Sequence, residues 1–133
     1  MTPLELGWVA GIIDGEGSVV LEKRGKYRQP LLLASSTDME ILEELKLLLG
    51  GSITEKREKR KDVKRSWMWR LNGSQQVLLI LERLTPLLRC PKKQKRATFL
   101  IKKYNKVTSR NGYYTSKEAR AKVQFETKFF TLQ

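Results

Sequence analysis

Residues Gly7–Gly17 read GWVAGIIDGEG, an apolar stretch that ends in two acids set between glycines. Gly7, Gly11 and Gly15 recur at every fourth position, so on a helix they share one stripe and leave it without side chains. A glycine inside a helix costs about 0.5–1 kcal/mol relative to alanine, so three in register imply a compensating contact. A second helix packed on the stripe at close backbone range supplies one, by the steric logic of GxxxG pairs. Two such helices ending together would deliver acids to a shared edge, and carboxylates gathered there suit a divalent cation. The plainer alternative is a core helix with a C-terminal glycine cap. Length excludes a membrane span, because the apolar run Trp8–Ile13 is far short of the roughly 20 residues a span requires.

The rest of the composition narrows the chemistry. With 133 residues, 40% of them apolar, the chain suits a single domain over 1–133. There is no histidine, which removes histidine-dependent nucleases, Ser-His-Asp hydrolases and zinc deaminases. Hydrolytic chemistry would have to use carboxylates, lysine, amides and bound metal. Cys90 is the sole cysteine, so no internal disulfide or zinc cluster is expected, and a small buried residue is its simplest reading. No secretory leader opens the sequence, so an intracellular location with no membrane partner is expected.

The formal charge is +13 and it is localised. Residues 89–128 hold thirteen basic side chains against two acidic ones, and Lys56–Arg65 holds seven against two. Clustered positive charge of this kind is the footprint of a polyphosphate partner, nucleic acid first. A generic basic surface is the alternative.

Periodicity and turn signals order the elements. Thr2 caps and Pro3 opens a first helix that runs to about Asp14. A strand over Ser18–Arg24 turns Val19 and Leu21 to the core and Val20, Glu22 and Arg24 outward. Gly25–Lys26 turns into a second strand, about Tyr27–Ser35, where Pro30 predicts an irregular or edge position. Thr37 or Ser36 caps a helix over Asp38–Leu49, stopped by Gly50-Gly51. A hairpin follows, Ser52–Glu58 and Lys64–Leu71, with Trp67, Trp69 and Leu71 on one face. Then come a helix over Gln75–Leu88 bent near Pro86, another over about Lys92–Val107, and a last one capped by Thr115-Ser116 and ending near Phe130. The class is α+β, in the order αββαββα with further C-terminal helices.

The opening stretch resembles the LAGLIDADG motif of homing endonucleases, with Val9, Ala10, Gly11, Ile12, Ile13, Asp14, Gly15, Glu16 and Gly17 matching position by position. The departures are a valine for the first leucine and Glu16 for the second aspartate. The element order is that family's order too, so the resemblance covers the whole chain. It implies a four-stranded antiparallel sheet forming a DNA-binding saddle, and site-specific cleavage of double-stranded DNA with Mg²⁺ or Mn²⁺. A strand of about eight residues rises roughly 26 Å, or seven to eight base pairs, one half-site. Since one chain carries one motif, a homodimer on a long near-palindromic site is expected, joined through Gly7, Trp8, Ala10, Gly11 and Asp14.

The resemblance also assigns roles. Asp14 and Glu16 are two apart and point to nearly opposite sides of a helix. The family pattern gives the metal to Glu16, with the Gly15 carbonyl beside it, and leaves Asp14 as a helix-end group or a structural hydrogen bond. The pattern Lys-Gln-Lys-x-Ala places Lys93 at the family's catalytic lysine, with Lys92 and Lys95 nearby as phosphate clamps. The amide usual at the end of the second strand is missing, and Ser35 or Ser36 stands there instead. Base and backbone contacts are expected from Glu22, Arg24, Lys26, Arg28, Gln29, Thr54, Lys56, Lys64, Ser66, Met68 and Arg70. Lys59, Arg60 and Lys61 would hold phosphates, and Thr115, Ser116 and Lys117 resemble a family backbone contact. Two other functions fit the same scaffold: a group I intron RNA-splicing maturase, and a DNA-binding regulator with decayed catalysis.

Overall fold

The computed structural model describes residues 1–56 and 64–133. The elements are α1 (Pro3–Glu16), β1 (Gly17–Arg24), β2 (Tyr27–Ser36), α2 (Met39–Leu49), β3 (Ser52–Lys56), β4 (Ser66–Leu71), α3 (Ser74–Leu84), α4 (Pro91–Val107) and α5 (Ser116–Thr131), with a short 3-10 turn at Thr85–Leu87. The four strands form one antiparallel sheet in the order β1-β2-β4-β3. The expected αββαββα core with added C-terminal helices is the observed fold. Lys59, Arg60 and Lys61 lie outside the described residues.

Local chemistry explains the boundaries. Thr2 Oγ1 accepts the Glu5 N–H at 3.1 Å and the Glu5 carboxylate accepts the Thr2 N–H at 2.8 Å, a capping box that starts α1 at Pro3. The helix continues one half-turn beyond Asp14, so Glu16 is its last residue. Gly17 then turns directly into β1. A Cβ there would lie 2.8 Å from Ile13 Cα, so the tight exit leaves room only for glycine. Neither Ser36 nor Thr37 caps α2. Asp38 takes that position, and Ser36 Oγ accepts the Asp38 N–H at 2.9 Å.

Pairing register sorts the sheet into two faces, because directly opposed residues point the same way. Val19 opposes Leu32, Gly17 opposes Ala34, and Ala34 opposes Trp69. These residues, with Leu21 and Leu71, pack against Val9, Ala10 and Ile13 of α1, Leu42 and Leu45 of α2, and Val77 and Leu81 of α3. Phe125 and Phe129 of α5 close the core against α4. Among the described residues the helices pack on this one face of the sheet.

β2 lies inside the sheet, yet Pro30 holds the irregular or edge position expected of it. Its pairing with β4 begins at Leu32, so beside Pro30 one flank of β2 has no strand. On that flank the Arg28 N–H donates to Glu126 Oε2 of α5 at 3.0 Å. The next residue with the same orientation is Pro30, which has no N–H to satisfy.

Candidate metal and nucleic-acid site

Helix α1 delivers Glu16 to the rim where the sheet begins. The Glu16 side chain is exposed and makes no hydrogen bond or ion pair among the described residues. Gly15 lies in the last helical turn, where carbonyls lack an intrahelical donor. Register brings the end of β2 to the same place, since Ala34 opposes Gly17 and Ser35 and Ser36 lie just beyond. Ser36, expected in a water network, accepts the Asp38 N–H at 2.9 Å and lies on the helix side of the sheet. Ser35 is the serine on the open face.

Asp14 and Lys93 lock α1 to α4. The Asp14 carboxylate accepts the Arg89 N–H at 2.9 Å and the Cys90 N–H at 3.0 Å. It thereby satisfies donors ahead of α4, whose N-cap Cys90 has no side-chain cap of its own. The structural hydrogen bond is therefore the role observed for this carboxylate. Lys93 Nζ donates to the carbonyls of Ile13 at 2.8 Å and Asp14 at 2.6 Å. A cation at the negative end of α1 is favourable. It has three donors, so one remains for a group near Glu16.

The glycine stripe is bare. A Cβ built on Gly7, Gly11 or Gly15 would meet nothing within 4 Å. Beside the stripe Leu4 is 85% exposed and Trp8 36%, and both line a groove of about 330 Å³ with Glu44 and Leu48. Helix α1 is thus apolar on two sides, one in the core and one uncovered. Ala10 does not belong to the uncovered side as expected. It is 2% exposed and packs in the core with Val9 and Ile13.

The open face of the sheet carries Ser18, Val20, Glu22 and Arg24 from β1, Gln29, Leu31, Leu33 and Ser35 from β2, Ser66, Met68 and Arg70 from β4, and Ser52, Thr54 and Lys56 from β3. Most expected contact residues are here. Arg28 is not: it opposes Lys23 on the helix side, donates to the Leu21 carbonyl at 3.1 Å and lies over the Phe130 ring. Lys26 occupies the turn beyond Arg24, and Lys64 precedes β4 as an exposed residue. Lys92 is exposed at the start of α4. Lys95 Nζ donates to the Gln133 carbonyl at 3.1 Å. Thr115 caps α5, and Glu118 occupies the same helix terminus, so a phosphate there would meet a carboxylate. Ser116 and Lys117 are exposed beside it.

Two features escaped the sequence. Leu33 and Ser35 face the open side, which the apolar run of β2 conceals. Arg70 donates to Glu22 across the sheet, and Arg24 Nε lies 3.4 Å from the other Glu22 oxygen. Arg70 above all, with help from Arg24, holds the Glu22 carboxyl below the usual glutamate range.

The donor set fits half of a metal site. No cluster of three or more ligating side chains occurs among the described residues. Glu16 and the Gly15 carbonyl are hard oxygen donors of the kind Mg²⁺ and Ca²⁺ take, and the stripe ending beside them is uncovered.

Solved structures share this architecture. The homing endonuclease I-CvuI in complex with its target superposes with a TM-score of 0.70 at 20% identity, covering 98% of this chain and 82% of that one. The archaeal intron-encoded homing endonuclease I-Vdi141I complexed with DNA gives 0.72 at 17%, covering 98% and 84%. I-SmaMI bound to uncleaved DNA gives 0.65 at 20%, with 96% of this chain covering 45% of its length. In sequence, the chain is 29% identical over 101 residues to the intron-encoded DNA endonuclease ai2b of Dictyostelium discoideum, spanning 76% of this chain and 36% of that protein. The model of the LAGLIDADG-like domain matches residues 3–114, from the capped start of α1 to the loop before α5. Those structures share the fold, and with the domain model matched over most of its length the chain belongs to the LAGLIDADG-like domain family.

Proposed function

We propose that two copies of this chain pair through the α1 stripe and cut double-stranded DNA at a long near-palindromic site, using a divalent cation. The observation that carries the proposal is the unfinished state of one chain: a Glu16 without a partner among the described residues, at the end of a helix face on which three glycines meet none of them. A two-fold axis along α1 would bring a second Glu16 and a second Gly15 carbonyl to the same rim. It would also set two open sheets side by side, enough for about two turns of duplex.

The bound cation would supply charge neutralisation at the scissile phosphate and a more acidic water. The chain's own groups do the rest. Glu16 and the Gly15 carbonyl would hold the cation, and the third Lys93 proton would face phosphate charge or orient the attacking water. The sheet seats the duplex in register. The net +13 draws the duplex in and makes binding fall steeply with salt. The names of ai2b, I-CvuI and I-Vdi141I, all endonucleases, support the assignment.

The test is incubation with a plasmid carrying the uninterrupted insertion site, in Mg²⁺ or Mn²⁺ and separately in Ca²⁺. Linearisation in Mg²⁺ is expected, with Glu16→Gln binding the site and cutting at least about a hundredfold more slowly. Specific binding with no cutting in any metal would point to the DNA-binding regulator. Tight binding to structured RNA alone would point to the maturase.

A further inference from the structure

Glu22 is the one acid among the described strand residues of the open face, and it lies where a polyanion is expected to dock. It is not left to repel. Arg70 reaches it from β4, two strands away. On β2, Glu22 opposes Gln29 and Arg70 opposes Leu33, so the bridge passes over Leu31 between them. Leu31 is only 3% exposed although its face carries no helix among the described residues, which is what an overlying arginine stem produces. Arg24 Nε stands 3.4 Å from the second Glu22 oxygen. The three side chains form one ordered unit on the surface that meets DNA.

We propose that Glu22 and Arg70 act together as the reader of a single G·C pair in the major groove, with Glu22 also fixing the direction of Arg70. The inference rests on the DNA-binding reading above. A G·C pair displays two acceptors, N7 and O6 of guanine, beside one donor, the cytosine N4 amino group. A guanidinium joined to a carboxylate displays the complement: two donors beside an acceptor. Arg70 has N–H groups left after its bond to Glu22, and a carboxylate has about four lone-pair sites, of which the two arginines take two. No other base pair offers that order, because A·T places an amino donor next to N7.

The position follows from the strand. Glu22 lies five residues beyond Gly17, where α1 ends. At roughly 3.3 Å per residue that is about 17 Å, or about five base pairs along the duplex. In the homodimer the G·C requirement recurs symmetrically, once in each half-site.

The experiment is selection from a randomised duplex library in Ca²⁺, with wild type, Glu22→Gln, Arg70→Gln and the double variant. A surface ion pair contributes little to folding, and urea midpoints close to wild type check this. Wild type is expected to enrich G·C at one symmetry-related position about five base pairs from the centre. Each single variant should lose at least about tenfold of the preference there and nowhere else, and the double variant no more than either single. Glu22→Gln that binds every sequence more tightly with unchanged preferences would overturn the proposal, as would single variants that relax different positions. A wild-type protein that enriches no sequence would instead sink the DNA reading beneath it.

Discussion

Lys93 places its ammonium 2.6 Å from the carbonyl oxygen of Asp14, while the Asp14 carboxylate holds the backbone three and four residues before Lys93. One residue thus grips the start of α4 and is gripped by its first turn. This reciprocal clamp fixes the end of α1, and with it Glu16, against the sheet.

Lys93→Met tests both duties of that ammonium. Removing a half-buried cation from a helix C-terminus should cost about 1–2 kcal/mol in urea unfolding. Single-turnover cutting well below the melting temperature should also fall, by about a hundredfold. Equal cutting with lower stability would restrict Lys93 to the helix clamp.

Gly11→Leu separates folding from assembly. A Cβ at Gly11 meets nothing within 4 Å among the described residues, and leucine favours helix over glycine by up to about 1 kcal/mol. The melting temperature of the monomer should hold or rise. Sedimentation should show loss of the dimer, because a paired helix could no longer approach at backbone range. An unchanged dimer would mean that the interface lies elsewhere.

Two left-handed glycines should respond differently to alanine. Gly25 has φ +64° with nothing within 4 Å, so Gly25→Ala should cost about 1 kcal/mol of backbone strain. Gly51 has φ +91°, and a Cβ there would strike the Arg70 carbonyl and lie 2.8 Å from Trp69 Nε1. Gly51→Ala adds that collision and should cost about 3 kcal/mol or more by urea unfolding. Equal losses would show that the β3–β4 contact yields easily.

Lys122 predicts an alkaline signature. It is 1% exposed, donates to Thr108 Oγ1 at 2.5 Å and lies over the Tyr104 ring. Burial pulls its pKa below the ordinary lysine value, with Glu126 opposing. The folded chain therefore releases this proton before the unfolded one. Between those two pKa values the unfolded state binds more protons, so this residue makes stability rise with pH. Wild type minus Lys122→Met, followed by urea midpoints from neutral pH towards 10.5, should rise in that window. A flat difference would show that the ammonium keeps its proton equally in both states.

Much of this was legible in the primary structure because it is local. Thr2-Pro3 and Thr115-Ser116 specify helix starts through their own side chains, and alternation in Val19 and Leu21 assigns the faces of β1. Gly7, Gly11 and Gly15 mark the stripe through helical spacing alone. The helix angle lets only one of Asp14 and Glu16 face a shared edge and the family resemblance chose Glu16; the structure bonds Asp14 and leaves Glu16 without a partner among the described residues. What misled was equally local. Arg28, offered beside Gln29 as an outward residue near a turn, faces the helices instead.

Those positions were decided by partners distant in sequence. Pro30 keeps a locally unpaired flank in an internal strand because β4 stops short of it, and Glu126, 98 residues from Arg28, covers the neighbouring donor. Ala10 is in the core because α1 has two apolar sides and only packing chooses between them. Glu22 and Arg70, 48 residues apart, meet because the strand order is β1-β2-β4-β3, an order that no periodicity encodes. Side-chain spacing along a helix or strand is a property of the chain itself, so the sequence alone determined the elements, their faces and the acid-tipped glycine helix. Which faces meet depends on long-range burial and register, so only the tertiary structure decided the reach of Lys93, the Glu22–Arg70 bridge and the side of α1 left bare.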